Sequence, residues 1–475
     1  MSAQLLETPP ATRRSPSPNL VLAIASIGVF MTVLDLFIVN VAFPDIQRDF
    51  DGSTLSKLSW ILNGYAIVYA ALLVPAGRMA DRIGQKRIFL CGLALFTIAS
   101  ALCAAAPNAE ILIAARLVQA VGAAAVTPTS LALVLSAVSP ERRGWALGMW
   151  TAVGGTGAAA GPTIGGMLVS LDWRWVFLVN LPIGIVSILI GVKSLQEHRT
   201  DPNGHRPDML GALLLVFSIA ALSLGIVQGP EWGWGSGRII GSFVAAVVLI
   251  GGFIYRSSHH ASPIVEPEIV KVPAFAIASI SAFFFMASFS VLLLGLVQYM
   301  TDVWHYSPLR TGLAISPGPL MVPFVATRLL PRVLRFGAPK VAFFGALLYA
   351  IAAIYWFEQT GTSREYATVL LPGLIASGIG FGLTMPVLMA SATRSLPAQR
   401  FATGSAVITM VRQIGSVFGV SILIVFLDSA DGDFIGAFHN GWLFMAGTAL
   451  VAGIAALALS LRPAPAGAPM PVALD

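Results

Sequence analysis

Most of this chain is divided into apolar runs of about 20 residues, the length an α-helix needs to cross the hydrocarbon core of a bilayer. Fourteen can be drawn, over roughly 20–43, 58–77, 88–106, 111–138, 144–170, 175–194, 209–228, 238–256, 274–300, 309–331, 340–358, 366–389, 401–427 and 439–461. A backbone in lipid must satisfy its own N–H and C=O groups, so runs of this length demand helix. Composition agrees: 56% of the 475 residues are hydrophobic and 11% charged, with a mean hydropathy of +0.82. Soluble domains carry about 25% charged residues. The expected fold class is an all-α polytopic membrane protein.

Charge then orients the chain. The formal net charge of +6 is scattered between apolar runs, so it predicts topology rather than a nucleic-acid partner. Arg78, Arg82, Lys86, Arg87, Arg142, Arg143, Lys193, Arg256, Arg335, Lys340, Arg394 and Arg400 fall in segments on one side, read as cytoplasmic. The opposite segments hold acidic clusters such as Asp45/Asp49/Asp51 and Asp428/Asp431/Asp433. An even span number puts both termini on the cytoplasmic side. Residues 1–18 read as a disordered lead-in and 463–475 as a tail. Cys91 and Cys103 share one apolar span, where packing is their expected role.

A weak internal echo suggests duplication. Pro128 followed by Pro140-Glu-Arg-Arg143 recurs as Pro386 followed by Pro397-Ala-Gln-Arg400, and Gly77–Arg87 has a degenerate partner in Arg328–Lys340. Two six-span halves of the same sense would produce this. The expected division is 19–200 and 261–462 for the halves, with 201–260 as two extra central helices.

The interior charges point to function. Asp35 is the one carboxylate deep inside a span, where a charge costs on the order of 2.5–3.5 kcal/mol on insertion scales. Arg116 lies in span four and Arg412 in span thirteen. An arginine cannot shed its charge, so each must pair or face water. At about 1.5 Å per residue, Asp35 and Arg116 lie roughly 12 Å and 9 Å from the outer ends of their spans, similar depths that allow mutual influence. Protonation would neutralise Asp35 and lower the cost of its burial; deprotonation would leave an anion able to attract a cation. In span five, Gly157, Gly161 and Gly165 repeat at four and form a flat face for close helix approach, and Pro162 favours a bend. Tyr65, Tyr69, Gln119, Phe285, Met286 and Phe289 are candidate cavity residues, since aromatic faces suit cations and methionine adapts to shape. Periodicity leaves helix packing or lipid contact open for each.

Several stretches resemble a known family. Gly77-Arg-Met-Ala-Asp81-Arg82-Ile-Gly84-Gln-Lys-Arg87 resembles the signature loop of the major facilitator superfamily, with Met79 for the usual Leu and Gln85 for a basic residue. In it, Gly77 and Gly84 are expected at tight turns by helix ends, with Asp81 accepting bonds from arginines in a latch between two bundles. Gly154-Gly-Thr-Gly157-Ala-Ala-Ala-Gly161-Pro162-Thr-Ile-Gly165-Gly166 resembles the antiporter motif of that superfamily, generally lacking in its symporters. Arg116-Leu-Val-Gln119-Ala120 resembles its Arg-x-x-Gln-Gly motif, with Ala120 for Gly. Leu34-Asp35-Leu-Phe-Ile-Val-Asn40-Val-Ala-Phe43-Pro44, Trp173-Arg-Trp-Val-Phe-Leu-Val-Asn180-Leu-Pro182 and Arg412-Gln413-Ile-Gly415 are similar to segments of the fourteen-span drug:proton antiporters, with Phe43 for the more usual Leu. That resemblance spans essentially the whole chain. It implies two six-helix bundles plus two extra helices, alternating access, a monomer in a bacterial inner membrane, and export of lipophilic cationic or neutral compounds against protons. Asp35 and Arg116 would couple the proton, with no cofactor beyond the proton gradient.

Other classes fare worse. No Gly-x-x-x-x-Gly-Lys-Ser/Thr loop is present to cradle ATP, which argues against a primary pump. The six histidines show no metal-ligand spacing, and no Asp-rich diphosphate motif supports a membrane enzyme. A symporter on the same fold and an exporter dedicated to one antibiotic or metabolite remain as alternatives.

Overall fold

The computed structural model describes residues 17–139, 142–199, 205–396, 400–430 and 432–461. Residues 1–16 and 463–475, Asp431, Pro140–Glu141 and Pro397–Gln399, which figured in the sequence reading, lie outside the described residues.

Fourteen long helices form, with no strand among the described residues. They are α1 (Pro18–Asp49), α2 (Trp60–Ile83), α3 (Gln85–Ala104), α4 (Ala109–Ala137), α5 (Arg143–Val169), α6 (Asn180–Ser194) and α7 (Met209–Val227). The remainder are α8 (Gly237–His259), α9 (Pro273–Gln298), α10 (beginning Pro308–Ile315), α11 (Ala338–Gln359), α12 (Leu371–Arg394), α13 (Phe401–Asp428) and α14 (Phe434–Leu457). Their starts are chemically marked. Asn108 Oδ1 accepts from Ile111 N at 2.9 Å, Asp208 Oδ1 from Gly211 N at 2.9 Å and Asp433 Oδ1 from Gly436 N at 2.9 Å. Proline opens α1, α9 and α10, where no N–H is needed. The Asp433 cap explains why α14 begins ahead of the expected 439.

Thirteen of the helices are both long and apolar enough to cross a membrane. The exception is α5, whose 27 residues reach about 40 Å but are rich in glycine, which adds little hydropathy. Span ten also departs from its expected form as one run over 309–331. Pro317, Pro323 and Pro331 remove backbone donors, and the chain proceeds as Pro308–Ile315, Pro317–Phe324, a π-turn at Val325–Leu329, then Leu330–Val333.

Packing repeats along the chain. The pairs α1–α5, α3–α4, α2–α4 and α3–α6 recur as α9–α13, α11–α12, α10–α12 and α11–α14. The two tightest links match as well. Gly84 alone separates α2 from α3 at φ 134°, ψ 133°, and Gly337 alone precedes α11 at φ 99°, ψ 128°. Both lie in the left-handed half of φ space that favours glycine. The halves meet along α2–α13 and α5–α10, with a lighter contact of α1 on α9. The hairpin α7–α8 lays α7 into the α2–α13 seam. There Asn63 Nδ2 donates to Ser421 Oγ at 3.1 Å, and Ser223 and Ser421 bond at 2.9 Å. Arg256 Nε donates to Asp208 Oδ1 at 2.6 Å and ties the hairpin at its base.

Candidate functional site

Asp35 and Arg116 meet directly. The Asp35 side chain is 0% exposed, and its Oδ2 accepts from an Arg116 terminal nitrogen at 2.5 Å. Its Oδ1 accepts from Gln119 Nε2 at 2.9 Å. Arg116 and Gln119, three apart, share one face of α4 and grip the carboxylate together. Arg116 also donates to Gln119 Oε1 at 2.6 Å and to the Ile61 carbonyl at 3.2 Å, and its guanidinium lies 4.0 Å over the Tyr65 ring. Gln119 donates to Ser100 Oγ at 2.8 Å, and Asn180 Nδ2 reaches the same oxygen at 3.4 Å. Five helices, α1 to α4 and α6, thus build one buried polar cluster. A buried pair of this kind is retained only where further bonds satisfy its remaining atoms, which is the case here.

This geometry corrects two expectations. Gln119 does not line a cavity: it is 0% exposed and bound to Asp35. Asp35 does not meet a cargo cation in this conformation either, because it is fully buried against Arg116 and Gln119. Ser100 and Asn180 escaped the sequence reading, although Asn180 lies in one of the family-like stretches.

The glycine face of α5 packs against the helix that carries Asp35. A Cβ added at Gly157 would lie 3.0 Å from the Phe30 carbonyl oxygen, at Gly161 2.6 Å from Phe37 Cβ, and at Gly165 3.0 Å from Ile38 Cγ1. Gly154 meets nothing closer than Val33 at 4.0 Å. Gly166 turns the other way, toward α10: its Cβ would lie 2.5 Å from the Pro308 carbonyl oxygen, and one on Gly312 would lie 2.2 Å from that of Pro162. Thr163 and Ser316 bond at 2.5 Å beside them. One helix therefore touches both the helix that carries Asp35 and the opposite half.

The Gly77–Arg87 stretch differs from its expected form as a loop. Gly77, Asp81 and Arg82 belong to the last turns of α2, and Gly77 faces Pro128, whose Cβ would be 3.5 Å from an added methyl. Only Gly84 is a turn. A Cβ there would fall 2.2 Å from a Glu197 carboxylate oxygen. That carboxylate, from the segment after α6, accepts from Lys86 N at 3.0 Å and Arg87 N at 3.2 Å, and lies 3.6 Å from Arg87 Nε. It caps the start of α3 from more than a hundred residues away. Replacing Glu197 by alanine exposes two donors at a helix N-terminus and is expected to lower stability by about 0.5–2 kcal/mol. Thermal unfolding in detergent reads this, and an unchanged Tm would refute the cap.

Glu266 is a latch carboxylate that the sequence reading did not name. Arg78 donates to Glu266 at 2.9 Å and to Ser262 at 2.5 Å, both in the segment between α8 and α9. Arg400, at the start of α13, lies 3.5 Å from the other Glu266 oxygen and also pairs with Glu268. Asp81 acts electrostatically on Arg78 alongside Glu266. Glu266 thereby joins an arginine from each half on the side of the basic connections.

The expected cavity residues are packed together in this conformation. Tyr65 and Tyr69 stack with centroids 6.1 Å apart, and Tyr69 donates to Thr127 Oγ1 at 3.2 Å. Phe289 meets Phe37 of α1 at 6.0 Å and Phe381 at 4.8 Å, and Phe285 lies against Tyr349 at 5.0 Å. Met286 is buried in the same core. Of these ring contacts, Phe37–Phe289 joins the two halves. Arg412, the third interior charge, pairs with no carboxylate among the described residues.

The family profile described as Major Facilitator Superfamily matches residues 25–420 and 278–472. The methylenomycin A resistance protein of Streptomyces coelicolor is 32% identical over 466 residues, 97% of this chain and 96% of that protein. The multidrug resistance protein Stp of Mycobacterium tuberculosis is 35% identical over 415 residues, covering 85% of this chain and 75% of Stp. The tetracenomycin C resistance and export protein of Streptomyces glaucescens is 29% identical over 433 residues, 90% of this chain and 79% of that protein. Among solved structures, a peptide transporter of the POT family in complex with sulfate aligns with a TM-score of 0.67 at 18% identity, over 95% of this chain and 96% of that one. A bacterial homologue of the lysosomal transporter Spinster, inward-facing and unoccupied, aligns at 0.65 with 17% identity, over 94% and 97%. At these identities the structures establish the fold alone.

Proposed function

The chain belongs to the Major Facilitator Superfamily, and we propose that it is a proton-coupled antiporter exporting lipophilic antibiotics or other toxic compounds by alternating access. The buried Asp35–Arg116 pair carries this reading. A proton and Arg116 compete for one carboxylate. When Asp35 is ionised, the pair is closed as seen here. When Asp35 takes a proton, Arg116 loses its counter-charge inside a low-dielectric core, which is strongly unfavourable. The cluster then favours a rearrangement that rehydrates or re-pairs the arginine, and α5, packed on α1 and on α10, passes that movement to the other half. The glycine contacts of α5 with α10 on one side and the Arg78–Glu266–Arg400 link on the other would be made and broken in alternation.

The names of the relatives support drug or antibiotic export. The reading places the chain in a bacterial plasma membrane with both termini cytoplasmic, working as a single chain with no cofactor. A dedicated exporter of one antibiotic is the second reading, favoured by relatives named for single compounds.

Inside-out vesicles with an imposed pH gradient test the direction. Methylenomycin A, tetracenomycin C and ethidium form the initial panel. Antiport predicts that a transported compound accumulates in an acidic lumen and that a protonophore abolishes the accumulation. Accumulation only when the bath is the acidic side would mean symport and would overturn the proposal.

A further inference from the structure

Arg412 and Arg116 face the same problem and solve it differently. Arg116 is matched by Asp35, Gln119, the Ile61 carbonyl and the Tyr65 face. Arg412 lies about 16 Å from the nearer end of α13 at 1.5 Å per residue, close to the middle of its span. No carboxylate pairs with it among the described residues. Its Nε is buried with no hydrogen-bond partner, and one terminal nitrogen reaches only Met389 Sδ at 4.0 Å. The side chain is half-buried rather than sealed, so it can be reached from outside the protein core. An arginine keeps its charge under all ordinary conditions. A guanidinium held at mid-membrane without a counter-charge is costly, so it favours water or an anion at this position.

The surroundings fit a small amphipathic partner. Arg412 extends from α13 toward Met389 of α12 and acts electrostatically on Tyr69 of α2, so it stands where the halves meet. Tyr69 stacks on Tyr65, and Tyr65 carries the Arg116 guanidinium on its face. An aromatic platform thus runs from the unpaired arginine to the Asp35 cluster. A planar guanidinium fork suits a planar anion above all.

We propose that Arg412 is the anchor of the substrate site and that this transporter takes amphipathic organic anions, compounds with a carboxylate, phenolate or enolate beside an apolar ring. The proposal rests on the exporter reading and departs from the cationic or neutral cargo expected from sequence. That expectation came from Asp35, whose oxygens Arg116 and Gln119 already occupy.

Two xanthene dyes of similar shape and opposite charge provide the test: anionic fluorescein and cationic rhodamine 6G. Binding is measured by fluorescence anisotropy on the full chain in lipid nanodiscs, for wild type, Arg412→Gln and Arg412→Lys. Fluorescein is expected to bind wild type and to weaken by about tenfold or more in Arg412→Gln, the loss of one charge-assisted contact. Arg412→Lys keeps the charge and should retain most of the fluorescein binding, which also covers the case that the glutamine variant misfolds. Rhodamine 6G should change by less than about twofold in either variant. Equal fluorescein binding by Arg412→Gln, parallel loss of both dyes in Arg412→Lys, or no fluorescein binding by wild type would overturn the proposal. The same proteins in vesicles with a pH gradient separate the two claims. Dye bound through Arg412 but not moved by the gradient would leave the site standing and sink the antiporter. Gradient-driven movement of rhodamine 6G without fluorescein binding would do the reverse.

Discussion

Asp35→Asn is expected to yield a folded, membrane-inserted protein that has lost proton-driven export. Asparagine has the shape of a protonated aspartate, and its Oδ1 can still accept from Arg116 or Gln119. What it cannot do is alternate between charged and neutral. Removing one partner of a buried ion pair typically costs about 3–5 kcal/mol, because the remaining charge is stranded. Here the loss should fall at or below the lower end, since Arg116 keeps Gln119, the Ile61 carbonyl and the Tyr65 face. The variant should therefore elute as a monodisperse peak with a reduced Tm. In a host lacking its own exporters it should give no more resistance than an empty vector. Wild-type resistance in cells that express Asp35→Asn at normal levels would remove Asp35 from the coupling.

Gly312→Val should block the cycle by a different route. At Gly312 a Cβ would lie 2.2 Å from the Pro162 backbone oxygen, where real contacts start beyond 3 Å. Even Gly312→Ala, which gains up to about 1 kcal/mol of helix propensity, cannot recover that overlap without moving α10 away from α5. Overpacking of this sort costs about 1–3 kcal/mol, and valine adds two methyls to it. The rest of each half is untouched, so the expected consequence is a shift away from conformations in which the α5–α10 seam is closed. A Thr163→Cys reporter, placed in a background without Cys91 and Cys103, should react faster with a membrane-impermeant maleimide when Gly312→Val is added. Transport should fall to background. Unchanged labelling with intact transport would show that the seam does not need to close so tightly.

The span pattern, the shared depth of Asp35 and Arg116, and the glycine stripe of α5 were legible because each is a property of one helix: its length, its rise and its period. Contacts between distant segments were not. Glu197 and Glu266 look in sequence like stray acids in basic surroundings, and only the folded topology brings them 110 and 188 positions back to Arg87 and Arg78. Gln119 read as a cavity residue because periodicity gives a helix face but not what that face meets. Gly77 read as a turn because a glycine that admits a close neighbour and a glycine that takes positive φ look alike in sequence. The breaks in α10 follow from its prolines, yet the apolar run conceals them. That no carboxylate among the described residues pairs with Arg412 was invisible for the simplest reason: a sequence does not show which charges meet.

Proton release on substrate binding, through re-formation of the Asp35–Arg116 pair and not through cargo at the carboxylate, tests the coupling at Asp35 most directly. Purified protein in weak buffer with a pH-indicator dye, at a series of pH values from acidic to neutral, receives a compound identified in the vesicle panel. Wild type should release protons in proportion to the compound bound, and Asp35→Asn should bind it without release. Equal proton release from both proteins, or none from wild type at saturating compound across acidic and neutral pH, would contradict exchange at this carboxylate.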